Sequence, residues 1–192
     1  MKKRKYLLFF TALLILFITG SIQAEQLTVQ FNKNNYHDGQ LNSYFSFMGN
    51  ISYDTIDAIR NGITARVILT FQLLKSGSVF RSRKRIVREK TEIFTISYDV
   101  WENSFIISYI DKKNEFRVTR PSDILIKINE VINPLSLSVP SINKKQKLFL
   151  RVKIKIQTIK LYPPFGIFLF FFDPWNYESK WVNTKVFILQ EL

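Results

Sequence analysis

The stretch Lys147–Lys160, KLFLRVKIKIQTIK, alternates apolar and polar side chains along its whole length. Successive side chains of a β-strand point to opposite faces of a sheet, so this alternation predicts a strand with one buried and one basic face. The apolar set is Leu148, Leu150, Val152, Ile154 and Ile156, and the polar set is Arg151, Lys153, Lys155 and Gln157. Ile159 and Leu161 fall on the other parity, which predicts a β-bulge near Thr158.

Other segments extend this pattern on both sides. Residues 63–75 alternate as cleanly, and further strands are expected at 27–31, 44–51, 83–99, 105–109, 116–118 and 181–190, with a polar, turn-rich loop at 32–42. A short helix is expected at 52–61, where Ser52 or Asp54 would cap the start and Gly62 would suit the end. A second helix is expected between Pro121 and Pro134, followed by a linker, because five apolar residues there have helical spacing: Ile124, Ile128, Val131, Ile132 and Leu135. The fold class is mainly β, as an antiparallel β-sandwich or a strongly bent sheet with two short helices.

The N-terminus has the pattern of an export signal. Four basic residues precede the apolar run Tyr6–Ile18, and Ala24 ends a cleavage pattern before Glu25. Residues 1–24 are therefore predicted to be a hydrophobic signal helix, either a cleaved signal peptide or an uncleaved membrane anchor. Residues 25–192 would form a single exported domain in the periplasm or on the outer face of the inner membrane of a bacterium.

Composition excludes several classes of protein. Hydrophobic residues make up 46% of the chain, which excludes a disordered chain. The chain contains no cysteine, which excludes disulfides, thiol nucleophiles and thiolate metal sites. Lys and Arg number 28 against 15 Asp and Glu, so the net charge is +13.

No catalytic motif is visible in the sequence. The only histidine, His37, stands in a polar loop, and no nucleophile elbow, phosphate loop or dinucleotide fingerprint occurs. Asp54 and Asp57 are interpreted as acidic residues near a helix start. We expect no enzymatic activity, no metal and no cofactor. A pair of carboxylates from distant positions, acting on cell-wall polymers, is the enzymatic alternative.

Basic residues form the first candidate binding surface, through contacts with anionic groups. The candidates are Arg81, Arg83, Lys84, Arg85, Arg88, Arg151, Lys153 and Lys155. Export argues against nucleic acid as the ligand, which leaves anionic lipid headgroups, lipid A phosphates or acidic partners. The alternative interpretation is that these residues solvate exposed strand faces and protect sheet edges.

A Phe-rich block between two proline breaks is the second candidate surface. Its candidate apolar docking residues are Phe165, Phe168, Phe170, Phe171, Phe172 and Trp175. Leaving the block in water would forfeit roughly 10–20 kcal/mol, so it must meet a core, a bilayer surface or an envelope partner. The flanking strands favour a buried crossover, with any membrane contact made through residues 1–24.

The order of these elements resembles an exported bacterial family catalogued as domain of unknown function four-three-nine-zero. The resemblance covers roughly residues 45 to 190. It includes Asn61-Gly-Ile and Asp173-Pro-Trp-Asn and is most specific in Leu161-Tyr-Pro-Pro and Ser179-Lys-Trp. It implies a bacterial envelope protein and supplies no activity, cofactor or catalytic residue.

The sequence thus predicts a non-enzymatic binding or scaffolding domain of the cell envelope. Its partner would be an unknown envelope protein or an anionic lipid. The alternative is a peripheral lipid- or lipopolysaccharide-binding protein that uses the basic strand faces and the Phe-rich block as a wedge.

Overall fold

The computed structural model describes residues 27–76, 85–139, 143, 145–159 and 176–192. Its strands are β1 (Thr28–His37), β2 (Gln40–Met48), β3 (Thr64–Lys75), β4 (Arg85–Asp99), β5 (Ser104–Tyr109), β6 (Asn114–Val118), β7 (Leu135–Ser138), β8 (Lys147–Ile159), β9 (Tyr177–Glu178), β10 (Val182–Asn183) and β11 (Phe187–Ile188). Its helices are α1 (Tyr53–Arg60), α2 (Pro121–Ile132) and a 3₁₀ turn at Leu189–Glu191.

Two antiparallel sheets organise these strands. The small sheet has the order β1-β2-β7, and the large sheet has the order β10-β8-β3-β4-β5-β6, with β9 and β11 also paired to β8. The expectation of a mainly β fold with antiparallel sheets and two helices is confirmed. The N-terminal segment 1–24, the basic residues Arg81, Arg83 and Lys84, and the Phe-rich block all lie outside the described residues.

The alternating residues of the long strands build the core. In β3 the inward set is fully buried: Ala65, Val67, Leu69, Phe71 and Leu73. β8 pairs with β3 from Leu148 to Ile159 and adds its own inward set, from Leu148 to Ile156. The Phe45 ring of the small sheet lies 5.2 Å from the Phe71 ring, so the two sheets share one core.

Residues at the helix ends fix the start of both helices and the end of α1. The Ser52 hydroxyl accepts a hydrogen bond from the Thr55 amide at 3.3 Å and caps α1, and Gly62 follows the helix with a φ of +88°. α2 begins at Pro121, and its buried side includes Ile124, Ile128 and Ile132.

Asn133, directly after α2, joins this helix to the small sheet. Its side-chain amide donates to the Phe45 carbonyl at 2.7 Å and its oxygen accepts from the Phe45 amide at 3.2 Å. This pair of bonds fixes α2 against β2.

The prediction of a loop at 32–42 was wrong. β1 runs on to His37, and a two-residue turn of Asp38 and Gly39, with φ of +47° and +77°, pairs His37 with Gln40 in β2. This hairpin turn needs positive φ at both central residues, which Asp and Gly tolerate. The polar half of β1 is a strand because it pairs with β2 at a half-solvated edge, where no apolar alternation is required.

Two further predictions were wrong near the C-terminal end of α2. Leu135 does not belong to the helix but opens β7, and the expected linker contains this four-residue strand, which pairs with β2. The physical reason is main-chain pairing with a strand far away in the sequence. A four-residue segment gives too short a pattern to predict that pairing.

The expected bulge near Thr158 was also wrong over the described residues. β8 stays in register with β3 from Leu148 opposite Lys75 to Ile159 opposite Thr64. Thr158 therefore occupies an inward position and is buried. Continuous pairing with β3 overrides the apolar parity of Ile159.

The expected closing strand at 181–190 is instead two two-residue strands, β10 and β11, followed by the 3₁₀ turn at Leu189–Glu191, and a third two-residue strand, β9, precedes this range. β9, β10 and β11 each pair with β8. Between them, side-chain oxygens replace backbone acceptors: Ser179 Oγ accepts from the Ile154 amide at 3.0 Å, and Thr184 Oγ1 accepts from the Leu150 amide at 2.9 Å. The chain can therefore leave the ladder and return without leaving these two β8 amides unpaired.

Candidate functional site

The predicted basic row on β8 lies on the outer face of the large sheet, and each of its members has a partner. Arg151 donates from Nε to Gln72 Oε1 at 2.8 Å, and its guanidinium carbon lies 4.2 Å from the centre of the Trp181 ring. Lys153 forms an ion pair with Glu178, and Lys155 lies 3.9 Å from the same carboxylate. The hydrogen bond from Lys153 lowers the pKa of Glu178.

The remaining predicted basic residues divide between described and undescribed positions. Arg88 is exposed on β4 and has no ion pair within the described residues. Arg85 begins β4, but its side chain, like those of Arg81, Arg83 and Lys84, lies outside the description. Of the basic candidates whose side chains are described, the β8 row is engaged on the outer face and Arg88 stands apart on β4, so these four do not form one free patch.

The sequence candidates for chemistry lie at the surface. His37 Nε2 is 3.0 Å from Asp38 at the tip of the β1–β2 hairpin, and both side chains are largely exposed. Asp54 lies in the first turn of α1, and Asp57 is 3.7 Å from Arg60. Within the described part of the chain, no three His, Asp or Glu side chains are close enough together to hold a metal ion.

A buried polar cluster, which the sequence reasoning missed, lies at the inner face of β4. The Tyr109 hydroxyl donates to Glu92, and Lys90 Nζ lies 2.8 Å from the same carboxylate. Lys90 Nζ also donates to the Ser136 carbonyl of β7 at 3.3 Å. The sequence feature that could have revealed the cluster is Glu92, an acidic residue at an inward-facing position of a predicted strand. The cluster ties β4, β5 and β7 together.

A cleft of about 400 Å³ opens between the starts of the two helices. Its described lining carries two arginines, Arg60 and Arg120, and no carboxylate. Each arginine already has an acidic neighbour, since Arg60 faces Asp57 and Arg120 Nε lies 3.0 Å from Asp123. The remaining lining residues are Asn50, Ile51, Tyr53, Ile56, Pro121 and Ser122.

The β4–β5 turn presents two large apolar side chains to solvent. Trp101 is 98% exposed and Val100 is 73% exposed. The sequence reasoning treated residues 99–104 only as a turn. The available signal was an apolar pair at the centre of a turn, where polar residues are the rule. We call Asp99–Asn103 the hairpin tip.

A network of polar contacts connects the hairpin tip to its own backbone and to β6. Asp99 Oδ1 accepts hydrogen bonds from the amides of Trp101 and Glu102 at 3.0 and 3.2 Å. Arg117, on β6, contacts Asp99 Oδ2 at 3.0 Å and Glu102 Oε2 at 2.6 Å. The bond from Arg117 and those two amides hold the pKa of Asp99 below its ordinary value, and Asp99 in turn raises the pKa of Arg117. The Trp101 backbone is thus fixed while its indole ring touches little.

No helix among the described residues combines the length and apolarity needed to cross a membrane.

Comparison with known proteins identifies the family of the chain and nothing further. No curated protein and no solved structure matches the chain significantly. A family model described as "Domain of unknown function (DUF4390)" matches residues 24–185, which is most of the chain. The chain therefore belongs to the DUF4390 family, as the order of its strands and helices indicated.

Proposed function

We propose that this chain is an exported, non-enzymatic binding or scaffolding domain of the bacterial cell envelope. In this proposal residues 1–24 act as a signal peptide or an uncleaved anchor, and the two sheets work as a sandwich that holds its loops rigid. The domain would act in the periplasm or on the outer face of the inner membrane. Its partner would be another envelope protein.

The observation that carries the proposal is the hairpin tip. A Trp that is 98% exposed contributes nothing to the core, yet Asp99, Glu102 and Arg117 fix its backbone. Tryptophan is enriched among the residues that dominate binding energy at interfaces, and a side chain on a fixed backbone loses less entropy on binding. Burying the indole ring in an apolar pocket of a partner would supply binding affinity, and the contacts that hold the backbone would lower the entropy lost on binding.

Charge favours a protein partner over an anionic bilayer at this tip. Asp99 and Glu102 flank Trp101 with two carboxylates against the one guanidinium of Arg117. Carboxylates near an anionic surface oppose insertion, because like charges repel. The excess of basic residues, 28 Lys and Arg against 15 Asp and Glu with only four of the basic residues in segment 1–24, is the observation that favours the alternative, a peripheral lipid- or lipopolysaccharide-binding protein. In that alternative, the ion pairs of Lys153 and Lys155 would have to exchange Glu178 for lipid phosphates.

Site-specific photocrosslinking in the producing bacterium tests the proposal. A benzophenone side chain at position 101 is expected to give a discrete protein crosslink, and Arg117→Gln is expected to weaken it. The matched control is Ile126, which is 56% exposed on α2 and is not part of the hairpin tip. Equal crosslinking from positions 101 and 126, or none from either, would contradict a binding role for the hairpin tip.

Vesicle flotation distinguishes the lipid-binding alternative from the proposed binding to a protein. The chain as the cell processes it is mixed with phosphatidylethanolamine vesicles that contain phosphatidylglycerol, at low salt. We expect no flotation beyond that caused by residues 1–24 when the signal is retained. Salt-sensitive flotation that is lost in Lys153→Gln/Lys155→Gln would instead establish the lipid-binding function.

Export has its own test. Mass spectrometry of the chain from envelope fractions is expected to give an N-terminus at Glu25 if the signal is cleaved, or the full chain in the membrane fraction if it is an anchor. Recovery of the full chain in the cytoplasmic fraction would overturn the proposed location.

A further inference from the structure

Among the described residues, the N-terminal half of β4 has a partner strand on only one side. β4 spans Arg85–Asp99, but β5 pairs only with its residues 94–99. One more bond, from the Ile110 amide to the Ile93 carbonyl at 3.1 Å, closes that ladder. Among the described residues, β4 before this point pairs with β3 alone. A register shift near Arg88 then bends the strand, so the straight part of this edge is residues 88–92.

The direction of the free backbone groups follows from that last bond. In an antiparallel ladder, the N–H and C=O of one residue point to the same side, and the side alternates along the strand. The Ile93 carbonyl points towards β5. Thr91 and Glu89 share its parity, so their N–H and C=O groups point to the open edge, and both residues are exposed. Two donors and two acceptors are thus set at the spacing of a strand.

We propose that this β4 edge binds an extended segment of a partner protein by strand addition, with acidic side chains at alternate positions of that segment. Backbone pairing at an open edge gives affinity, and alternate side chains give specificity. Arg88 and Lys90 are two residues apart and share one face of β4. Arg88 is exposed and has no ion pair within the described residues, whereas Lys90 is held by Glu92. A carboxylate opposite Arg88 would complete its charge pairing.

A second copy of this chain is a poor occupant of the edge. Two-fold antiparallel pairing must place residues of the Glu89 and Thr91 parity opposite each other. Centred on Arg88, Glu89 or Lys90, such pairing sets like charges face to face, which is destabilising. Centred on Thr91, it places Arg88 opposite Phe94 of the other copy, a position that β5 already occupies. The charges therefore favour a different chain with acidic residues.

This inference rests on the proposed role as a binding domain, but it uses a different surface from the hairpin tip. The probe is a blocked heptapeptide of alternating Glu and Val, added to the chain as the cell processes it. Hydrogen exchange by NMR is the readout. When about nine-tenths of the protein is bound, exchange of the Glu89 and Thr91 amides is expected to slow by about tenfold, since only the free state exchanges. No slowing at millimolar peptide would overturn the proposal.

Two control peptides separate strand addition from charge attraction. The first is the same peptide N-methylated at the amides that would face β4, which keeps every charge and removes the donors. The second carries Lys in place of Glu. Neither is expected to protect Glu89 or Thr91. If the N-methylated peptide protects the Glu89 and Thr91 amides equally well, charge attraction alone explains the binding and strand addition is refuted.

Two variants complete the test. Arg88→Gln is expected to weaken peptide binding several-fold. Thr91→Pro is expected to abolish it, because Pro removes an edge-facing N–H that β3 does not use. If Thr91→Pro fails to fold, the N-methylated peptide decides alone. Loss of peptide binding with a persistent crosslink at position 101 would refute only strand addition, and loss of both would refute the binding role itself.

Discussion

The Tyr109 hydroxyl donates a hydrogen bond to the Glu92 carboxylate inside the core, between neighbouring strands of the large sheet. Both side chains are 3% exposed or less. The Tyr109 ring stacks on Phe94 with centroids 4.5 Å apart, and Lys90 covers the other carboxylate oxygen. Burial, and then the bond to Glu92, raise the pKa of Tyr109 well above its usual value. The phenol therefore keeps its proton and acts as a donor.

Tyr109→Phe should lower the free energy of unfolding by about 1–3 kcal/mol, because it leaves a buried carboxylate oxygen without its donor. Urea unfolding followed by circular dichroism measures the change. Tyr98→Phe is the matched control, since the Tyr98 hydroxyl bonds to Asn103 at an exposed site. An equal loss in the two variants would contradict a special role for the buried bond.

The free energy of unfolding should fall in alkaline solution because of Tyr109. The pKa of Tyr109 is raised above 10.0 in the folded state, so above that pH the unfolded chain releases a proton that the folded chain retains. The stabilisation is complete below pH 10 and is lost as pH rises towards the folded pKa, by at most about 1.4 kcal/mol per pH unit. Urea midpoints between pH 9 and 11 should show a shallower decline in Tyr109→Phe. A decline of unchanged slope would argue against this assignment.

Trp101→Ala should change the free energy of unfolding by less than about 0.5 kcal/mol, because the side chain is almost wholly exposed. Phe105→Ala, a few residues later and fully buried, should cost about 3–5 kcal/mol. Thermal or urea unfolding of the two variants compares them directly. A large loss in Trp101→Ala would give the indole ring a structural role and weaken the case for an interface.

Arg117→Gln should loosen the hairpin tip without unfolding the domain. Losing the contacts to Asp99 and Glu102 frees the turn, so the Trp101 and Glu102 amides should exchange hydrogen several-fold faster. Lowering the pH should also reduce the protection of these two amides in the unaltered chain, measured against their intrinsic exchange rates at the same pH. The pKa of Asp99 is held below 3.8 in the fold, so its contribution is present above pH 3.8 and is lost as pH falls through the lower folded value.

Asp99→Asn provides the control for that pH dependence. It keeps an acceptor oxygen for the two amides but has no carboxylate to titrate. The protection of the Trp101 amide, measured against its intrinsic exchange rate at the same pH, should then be insensitive to acid. An acid-dependent loss of protection that persists in Asp99→Asn would assign the effect to another group.

Thr158→Val should stabilise the domain by about 1 kcal/mol. The Thr158 hydroxyl is buried and its oxygen has no hydrogen-bond partner among the described residues, so replacing it with a methyl group removes a desolvation cost while keeping the shape. Thr70→Val, on the half-exposed outer face of β3, should change stability by less than about 0.5 kcal/mol. Differential scanning calorimetry measures both. A loss of stability in Thr158→Val would show that the hydroxyl is satisfied in solution.

Much of the fold could be read from local patterns. The inward faces of β3 and β8, the cap at Ser52 and the start of α2 at Pro121 all lie where the sequence predicts them. The candidate site was less predictable. Arg151 and Lys153 are on the exposed face as expected, but their partners Gln72, Glu178 and Trp181 come from other strands and loops.

The sequence by itself determined the long strands β3, β4 and β8, the buried face of each and where the two helices begin, because periodicity and caps depend on neighbouring residues. Tertiary structure decided the strand character of the polar end of β1, the short strand β7, the division of the last strand and the inward place of Thr158. It also decided that Glu92 is buried and Trp101 is exposed. These outcomes depend on backbone pairing and packing between segments far apart in the chain, and no local pattern of side chains specifies such partners.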